Sequence, residues 1–150
     1  GSSLGGWIML LATLQRKKRI AGLIGIASAP DFTEDLIWQK LDQKTKNELV
    51  TKGIIDLDSE YSDAPYPISK KLIENGRQHL LLKNIIDITV PVRLFHGMAD
   101  DDVPFDISIQ LAKQLASDDV LLTLPPKTNH SMSSPTDLAL ICETIDKMLA

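Results

Sequence analysis

Gly1-Ser2-Ser3-Leu4-Gly5 opens the chain as G-x-S-x-G, and Gly6 and Trp7 follow. This spacing suits a sharp strand-to-helix turn that holds a serine in a strained backbone with its Oγ projecting outward. The serine is Ser3, because only Ser3 has a glycine two residues away on each side. The sterics expected of the turn are simple. A Cβ at Gly1 or Gly5 would meet the neighbouring strand or helix. Such a turn also needs a strand leading into it, which is expected upstream of Gly1. A helix is expected over 4–18, with Trp7, Ile8, Leu10, Leu11 and Leu14 on its apolar face.

Beyond that helix, residues 20–27 form a short, nearly continuous apolar run. This is the pattern of a strand buried on both faces of a parallel sheet. Pro30 ends it. Residues 31–84 change character, with many Lys, Asp, Glu and Gln, both tyrosines and Trp38. Asp31 or Thr33 can cap a helix containing Leu36, Ile37 and Leu41. A second helix is expected over 45–51, stopped by Gly53. Residues 54–57 and the segment around Tyr66 can pair as a hairpin across Asp63-Ala64-Pro65, and 69–83 reads as a third helix. Fifty-odd residues is far longer than an ordinary connection between core strands. Residues 31–84 are therefore expected to be a mostly helical cap or lid.

The core pattern resumes with a strand over 90–95 that runs into His96-Gly97. A helix over 105–116 follows, then a last strand over 120–124, stopped by Pro125-Pro126. Ser134, Pro135 and Asp137 carry the signals of a helix start. The final helix has the apolar stripe Leu138, Ile141, Ile145, Met148 and Leu149. The order of elements predicts an α/β fold with a parallel sheet, made of 1–30 and 85–150, and an insertion of 31–84.

Composition excludes several classes of function. The chain has 43% hydrophobic and 24% charged residues, a globular balance, and a formal net charge of −4. That charge argues against a nucleic-acid partner. The basic cluster Arg16-Lys17-Lys18-Arg19 falls at a helix end, where cations complement the dipole. No apolar run is long enough to span a membrane. The single cysteine, Cys142, lies in an apolar helical stretch and is expected to be buried. It permits a reducing compartment, the cytoplasm or alternatively the mitochondrial matrix.

Two further stretches carry chemistry. His96-Gly97-Met98-Ala99-Asp100-Asp101-Asp102-Val103-Pro104 follows a strand directly, where a parallel sheet places its ligands. The pattern H-G-x-x-D-x-x-V-P singles out Asp100 as an acid able to accept an imidazole N–H. Asp101 and Asp102 remain as alternatives, either in a solvated loop or as a weak cation site without further ligands to match. His130, in Asn129-His130-Ser131-Met132, lies between the last strand and the last helix. His79 falls on a cap helix, and His96 is expected to bond locally at its strand end. Ser3, Asp100 and His130 therefore occur in the order Ser…Asp…His, one of the three orders in which such triads are built.

With GSSLGGW, LIGIASA, VRLFHGMADDDVPF and NHSM in place, the chain resembles the α/β-hydrolase family of serine esterases. Within it, the chain is similar to the mitochondrial palmitoyl-protein thioesterases, also described as mycophenolic acid acyl-glucuronide esterases, and to their bacterial relatives. TKGIIDLDSEYSD carries a looser similarity in the cap. The resemblance implies the C-terminal part of that fold, without its N-terminal strands. It implies a serine hydrolase that uses neither metal nor organic cofactor. By the same resemblance Ser3 is the nucleophile, Asp100 the orienting acid and His130 the general base, and the Leu4 backbone N–H is one oxyanion donor. The substrate would be a small-molecule or acylated-protein ester or thioester. Leu36, Ile37, Trp38 and Leu41 are candidates for an acyl pocket, with ordinary cap packing as the alternative. Two other expectations stand beside this one. A non-catalytic hydrolase fragment would expose an apolar sheet edge and associate through it. A serine peptidase would use the same triad on the same fold.

Overall fold

Parallel pairing organises the larger part of the chain. The structure is a computed structural model and describes residues 1–57 and 65–150. In chain order its elements are α1 (Leu4–Gln15), β1 (Leu23–Ile26), α2 (Gln43–Lys52), β2 (Ile54–Leu57), β3 (Tyr66–Ser69), α3 (Lys70–Gly76), β4 (Val92–Phe95), α4 (Asp106–Gln114), β5 (Val120–Thr123) and α5 (Pro135–Leu149). The chain divides into two units, Gly1–Pro30 with Leu81–Ala150, and Asp31–Leu80. Among the described residues no helix is long and apolar enough to cross a membrane.

In the first unit, β1, β4 and β5 form a three-stranded parallel sheet in that order. Leu23 pairs with Val92 and Val92 with Val120 at one end, and Ile26 pairs with Phe95 and Phe95 with Thr123 at the other. Ser2 extends this last row by pairing in parallel with Ile26. One lateral row, Ser2–Ile26–Phe95–Thr123, thus crosses the carboxyl ends of the strands. Helix α1 packs on β1, and α4 packs on β4 and β5. Phe95, Met132 and Ile141 form a buried cluster with Ile24, Ile26, Leu140 and Ile145 against it. Near the opposite end of the sheet, Arg93 holds Asp119 through two bonds, at 2.8 and 3.1 Å.

Several edges of these elements differ from the sequence reading. Helix α1 stops at Gln15, and Lys17–Arg19 form a separate 3₁₀ turn whose Lys17 pairs with Asp87. Its inward line is Gly6, Trp7, Leu10 and Thr13, while Ile8 is exposed. In α5 the buried side runs through Ile141, with Leu140 and Ile145 packed beside it, and Leu138 and Leu149 are exposed. Cys142, one residue and about 100° further round the helix, is exposed rather than buried. The first unit also takes Leu81 to Asn84, which the sequence reading gave to the insertion. The reason is local, since Leu82 is buried and Ile86 pairs with Leu115 on the core side.

The second unit holds β2 and β3 as an antiparallel pair, Ile54 opposite Ser69 and Leu57 opposite Tyr66. Of the expected turn, Asp63 and Ala64 lie outside the described residues. Helix α2 begins with Asp42, whose side chain accepts from the Thr45 N–H at 2.7 Å. It ends at Gly53, with φ 80°, in the left-handed region open to glycine. Instead of a helix through Leu41, Thr33–Ile37 form a single π turn and Trp38–Lys40 a 3₁₀ turn, without a side-chain cap. Leu36, Ile37, Trp38 and Leu41 are too closely bunched to make a sustained 3.6-residue stripe. Helix α3 starts at its Ser69 cap and ends at Gly76, short of the expected residue 83, where Thr33 lies against the glycine. Exposed His79 closes the turn after it.

Candidate active site

The strand-to-helix turn at Gly1–Gly5, the elbow, is held from three directions. Ser3 N–H donates to the Ile26 carbonyl at 2.9 Å, and Ile26 N–H donates to the Gly1 carbonyl at 2.9 Å. The Ser3 carbonyl accepts from Gly6 N–H at 2.9 Å and Ala29 N–H at 3.0 Å. Between these ties Ser3 adopts φ 51° and ψ −124°, a backbone that a residue with a Cβ rarely takes. Such strain persists only where surrounding contacts over-determine it. The glycine sterics differ from expectation in one place. A Cβ on Gly1 would overlap the Gly5 carbonyl, and one on Gly6 would overlap Ser28, but one on Gly5 would meet nothing. The close approach falls at Gly6, which faces the segment after β1. Leu4 opens α1, so its N–H is among those a helix start leaves without an intrahelical partner.

Strand β4 ends at Phe95 and delivers His96-Gly97 into the loop that carries Asp100. Strand β5 ends at Thr123 and delivers the loop that carries His130. The two loops are joined by backbone: Met98 N–H donates to Pro125 O at 2.9 Å and Ala99 N–H to Thr128 O at 3.0 Å. Gly97 permits this approach, because a Cβ there would overlap the Thr128 carbonyl. Below the histidine, buried Met132 anchors the loop in the Phe95–Ile141 cluster. Thr128 Oγ1 also donates to Asp137 at 2.9 Å. The Ser134 hydroxyl, and then Thr128, hold the Asp137 carboxyl below its ordinary pKa. The histidine loop is thereby tied to the first turn of α5. Nothing in the sequence alone pointed to Thr128, and Asp137 was visible only as a helix-start residue.

His130 Nδ1 lies 2.8 Å from Asp100 Oδ2. The Asp100 side chain is fully buried, and that of His130 is 20% exposed. A carboxylate accepts, so Nδ1 carries a proton, and in the neutral imidazole Nε2 then keeps its lone pair. Of the three neighbouring acids, only Asp100 makes this contact, and Asp101 is exposed. Asp100 Oδ1 accepts from the N–H groups of Asp102 at 3.0 Å and Val103 at 2.9 Å. Oδ2 accepts from His96 Nε2 at 2.9 Å as well as from His130. Asp100, Asp102 and His130 could present three ligand atoms within 4.8 Å of one another. A cation there would have to displace donors from a carboxylate that already accepts four bonds. The side chain of Ser3 makes no hydrogen bond to His130; in free enzymes such contacts often tighten only with substrate. The structure therefore joins Asp100 and His130 directly and sets Ser3 at the end of the same row of strands.

In the other unit, Ile37, Trp38 and Leu41 pack against its own buried cluster of Leu49, Ile55, Ile68 and Ile73. Leu36 is half-buried. The side chains of Ile37, Trp38 and Leu41 are only partly buried there.

A sequence model described as the prolyl oligopeptidase family matches residues 1–147. "Palmitoyl-protein thioesterase ABHD10, mitochondrial" of Bos taurus is 38% identical over 152 residues, covering 99% of this chain and 49% of its own. The chain spans about half the length of the curated relatives it matches. A protein of Agrobacterium vitis S4, solved by crystallography, is 38% identical with a TM-score of 0.94, covering all of this chain and 60% of that one. "Alpha/beta hydrolase domain-containing protein 10 from mouse" is 38% identical with a TM-score of 0.89, covering 99% of this chain and 60% of that one.

Proposed function

The chain belongs to the prolyl oligopeptidase family and has the α/β-hydrolase fold, and from that premise we propose that it carries the catalytic triad of a serine hydrolase acting on acyl esters or thioesters. The observation that carries the proposal is the 2.8 Å contact between His130 Nδ1 and buried Asp100, which leaves Nε2 as the base. The strained backbone of Ser3 on the same row of strand ends supports it.

The chemistry follows from the tautomer. Ser3 Oγ attacks the acyl carbon as its proton passes to His130 Nε2. Asp100 stabilises the imidazolium so formed. The Leu4 N–H, at the positive end of α1, donates to the oxyanion. Collapse breaks the bond to the leaving sulfur or oxygen, which takes the proton from Nε2. Water then attacks the acyl-enzyme and gives its proton to His130. Release of the acid returns that proton to Ser3 Oγ. The steps balance without a metal or an organic cofactor.

The curated relatives' name, palmitoyl-protein thioesterase, supports an acylated protein as substrate. The same name supports the mitochondrial alternative, and the comparisons give the main expectation, the cytoplasm, no support. The family description favours a second reading, a peptidase that cleaves an amide with the same three residues. Parallel assays of the whole protein on a palmitoyl thioester and on a prolyl peptide amide separate the two. Faster turnover of the thioester is expected, and turnover of the amide alone would transfer the assignment to the peptidase. Fluorophosphonate labelling tests the serine hydrolase itself. Labelling is expected and is abolished by Ser3→Ala; a whole protein that is never labelled would favour the non-catalytic alternative.

A further inference from the structure

Asp100 is shared by two histidines, and the mechanism above uses only one. His96 ends β4 and its side chain is wholly buried. Its Nε2 lies 2.9 Å from Asp100 Oδ2 and 2.9 Å from the Val103 carbonyl. Neither oxygen has a proton to give, so Nε2 carries one and divides it between them. Nδ1 lies 2.7 Å from Ser108 Oγ, on the buried side of α4. A hydroxyl donor there favours the lone pair on Nδ1 and the proton on Nε2.

We infer that His96, with Ser108 behind it, is a positioning residue that aims Asp100 Oδ2 at His130; the inference rests on the triad assignment above. Oδ1 is fixed by two backbone N–H groups of its own loop. Oδ2 would otherwise depend on His130 alone, which is partly exposed and must also exchange protons. His96 supplies a donor that stays in place whatever His130 does. It fixes the carboxylate plane before substrate arrives and at each proton transfer. A group that only stapled the loop would affect folding, but not the turnover of molecules that have folded.

The experiment measures kcat, KM and melting temperature on the whole protein, with active sites counted by a fluorophosphonate burst. His96→Asn is expected to lower kcat per titrated site about 10–100-fold, the range typical for a group that orients a functional one, with KM changed less than about twofold. His96→Gln can place an amide N–H where Nε2 stood and is expected to recover most of kcat. A His96→Asn protein with lowered melting temperature but unchanged kcat per site would overturn the inference. If His96→Asn does not fold, Ser108→Ala decides. A shifted low-field NMR signal of the His130 Nδ1–H with reduced kcat supports positioning, and an unchanged signal with unchanged kcat overturns it. Ser3→Ala separates the two levels. Turnover surviving that change defeats the triad assignment itself, whereas turnover lost there and retained in His96→Asn defeats only the role of His96.

Discussion

The core unit and the insertion unit both bury apolar side chains, but they differ in what surrounds those clusters. In Gly1–Pro30 with Leu81–Ala150, parallel register brings the strand ends that carry Ser3, Asp100 and His130 into one row. The row Ser2–Ile26–Phe95–Thr123 sets three loops side by side, and Gly6 and Gly97 leave room for backbone or side chain where a Cβ would not fit. In Asp31–Leu80, a two-stranded antiparallel pair and short helices close on a few side chains. Leu49, Ile55, Ile68 and Ile73 fill a small core, Arg77 lies 4.6 Å over the Trp38 ring, and Glu34 holds Arg77 at 2.7 Å. The difference teaches where substitution is tolerated. Register and close approach admit few residues, while burial asks mainly for apolar volume.

The largest expected effect is on chemistry in the core unit. Ser3→Ala and Asp100→Asn are each expected to lower kcat by about 10⁴-fold or more, as loss of a nucleophile or of an orienting acid does. Near-normal turnover in Asp100→Asn would move the acid role to Asp101 or Asp102. Next comes the core of the insertion. Ile68→Ala is expected to cost about 2–5 kcal/mol, because it empties a fully buried site. Hydrogen exchange should quicken in Asp31–Leu80 while the amides of β4 keep their protection. Uniform acceleration through both units would break the comparison.

Smaller again is a contrast within the elbow. Gly6→Ala forces a Cβ into Ser28 and is expected to cost about 1–3 kcal/mol. Gly5→Ala meets open space in a helix and is expected to add roughly 0.5–1 kcal/mol of stability. Urea titration of both proteins checks it, and equal losses would mean that the elbow does not distinguish its two glycines. The smallest loss lies at the start of α5. Ser134→Ala removes a cap and is expected to cost about 1 kcal/mol at neutral pH. It also removes the donor that contributes most to the lowered Asp137 pKa. A carboxyl with a folded pKa below its unfolded value of about 4 stabilises the fold above that value. That stabilisation is lost as pH falls through the folded pKa. The gap between the two proteins should therefore narrow in acid; a gap that widens there would contradict it.

The parallel strands were legible because each is a short apolar run ended by a histidine–glycine pair or by prolines. Their ends put the Asp100 and His130 loops beside one another. What could not be read were properties of three-dimensional neighbours. Gly6 rather than Gly5 is the tight glycine because of Ser28, twenty-two positions away. Cys142 turns outward because Ile141 turns inward. Ser108 is an unremarkable helix residue until His96 is seen to bond it. In the insertion, Leu36, Ile37 and Leu41 read as part of one helix, but Thr33–Ile37 take a π turn and Trp38–Lys40 a 3₁₀ turn.

The most direct test is to map a fluorophosphonate adduct by peptide mass spectrometry in the whole protein. The account predicts a single adduct on Ser3, absent in Ser3→Ala and formed far more slowly in His130→Ala. An adduct on Ser2 or any other serine, or a labelling rate indifferent to His130, would contradict it.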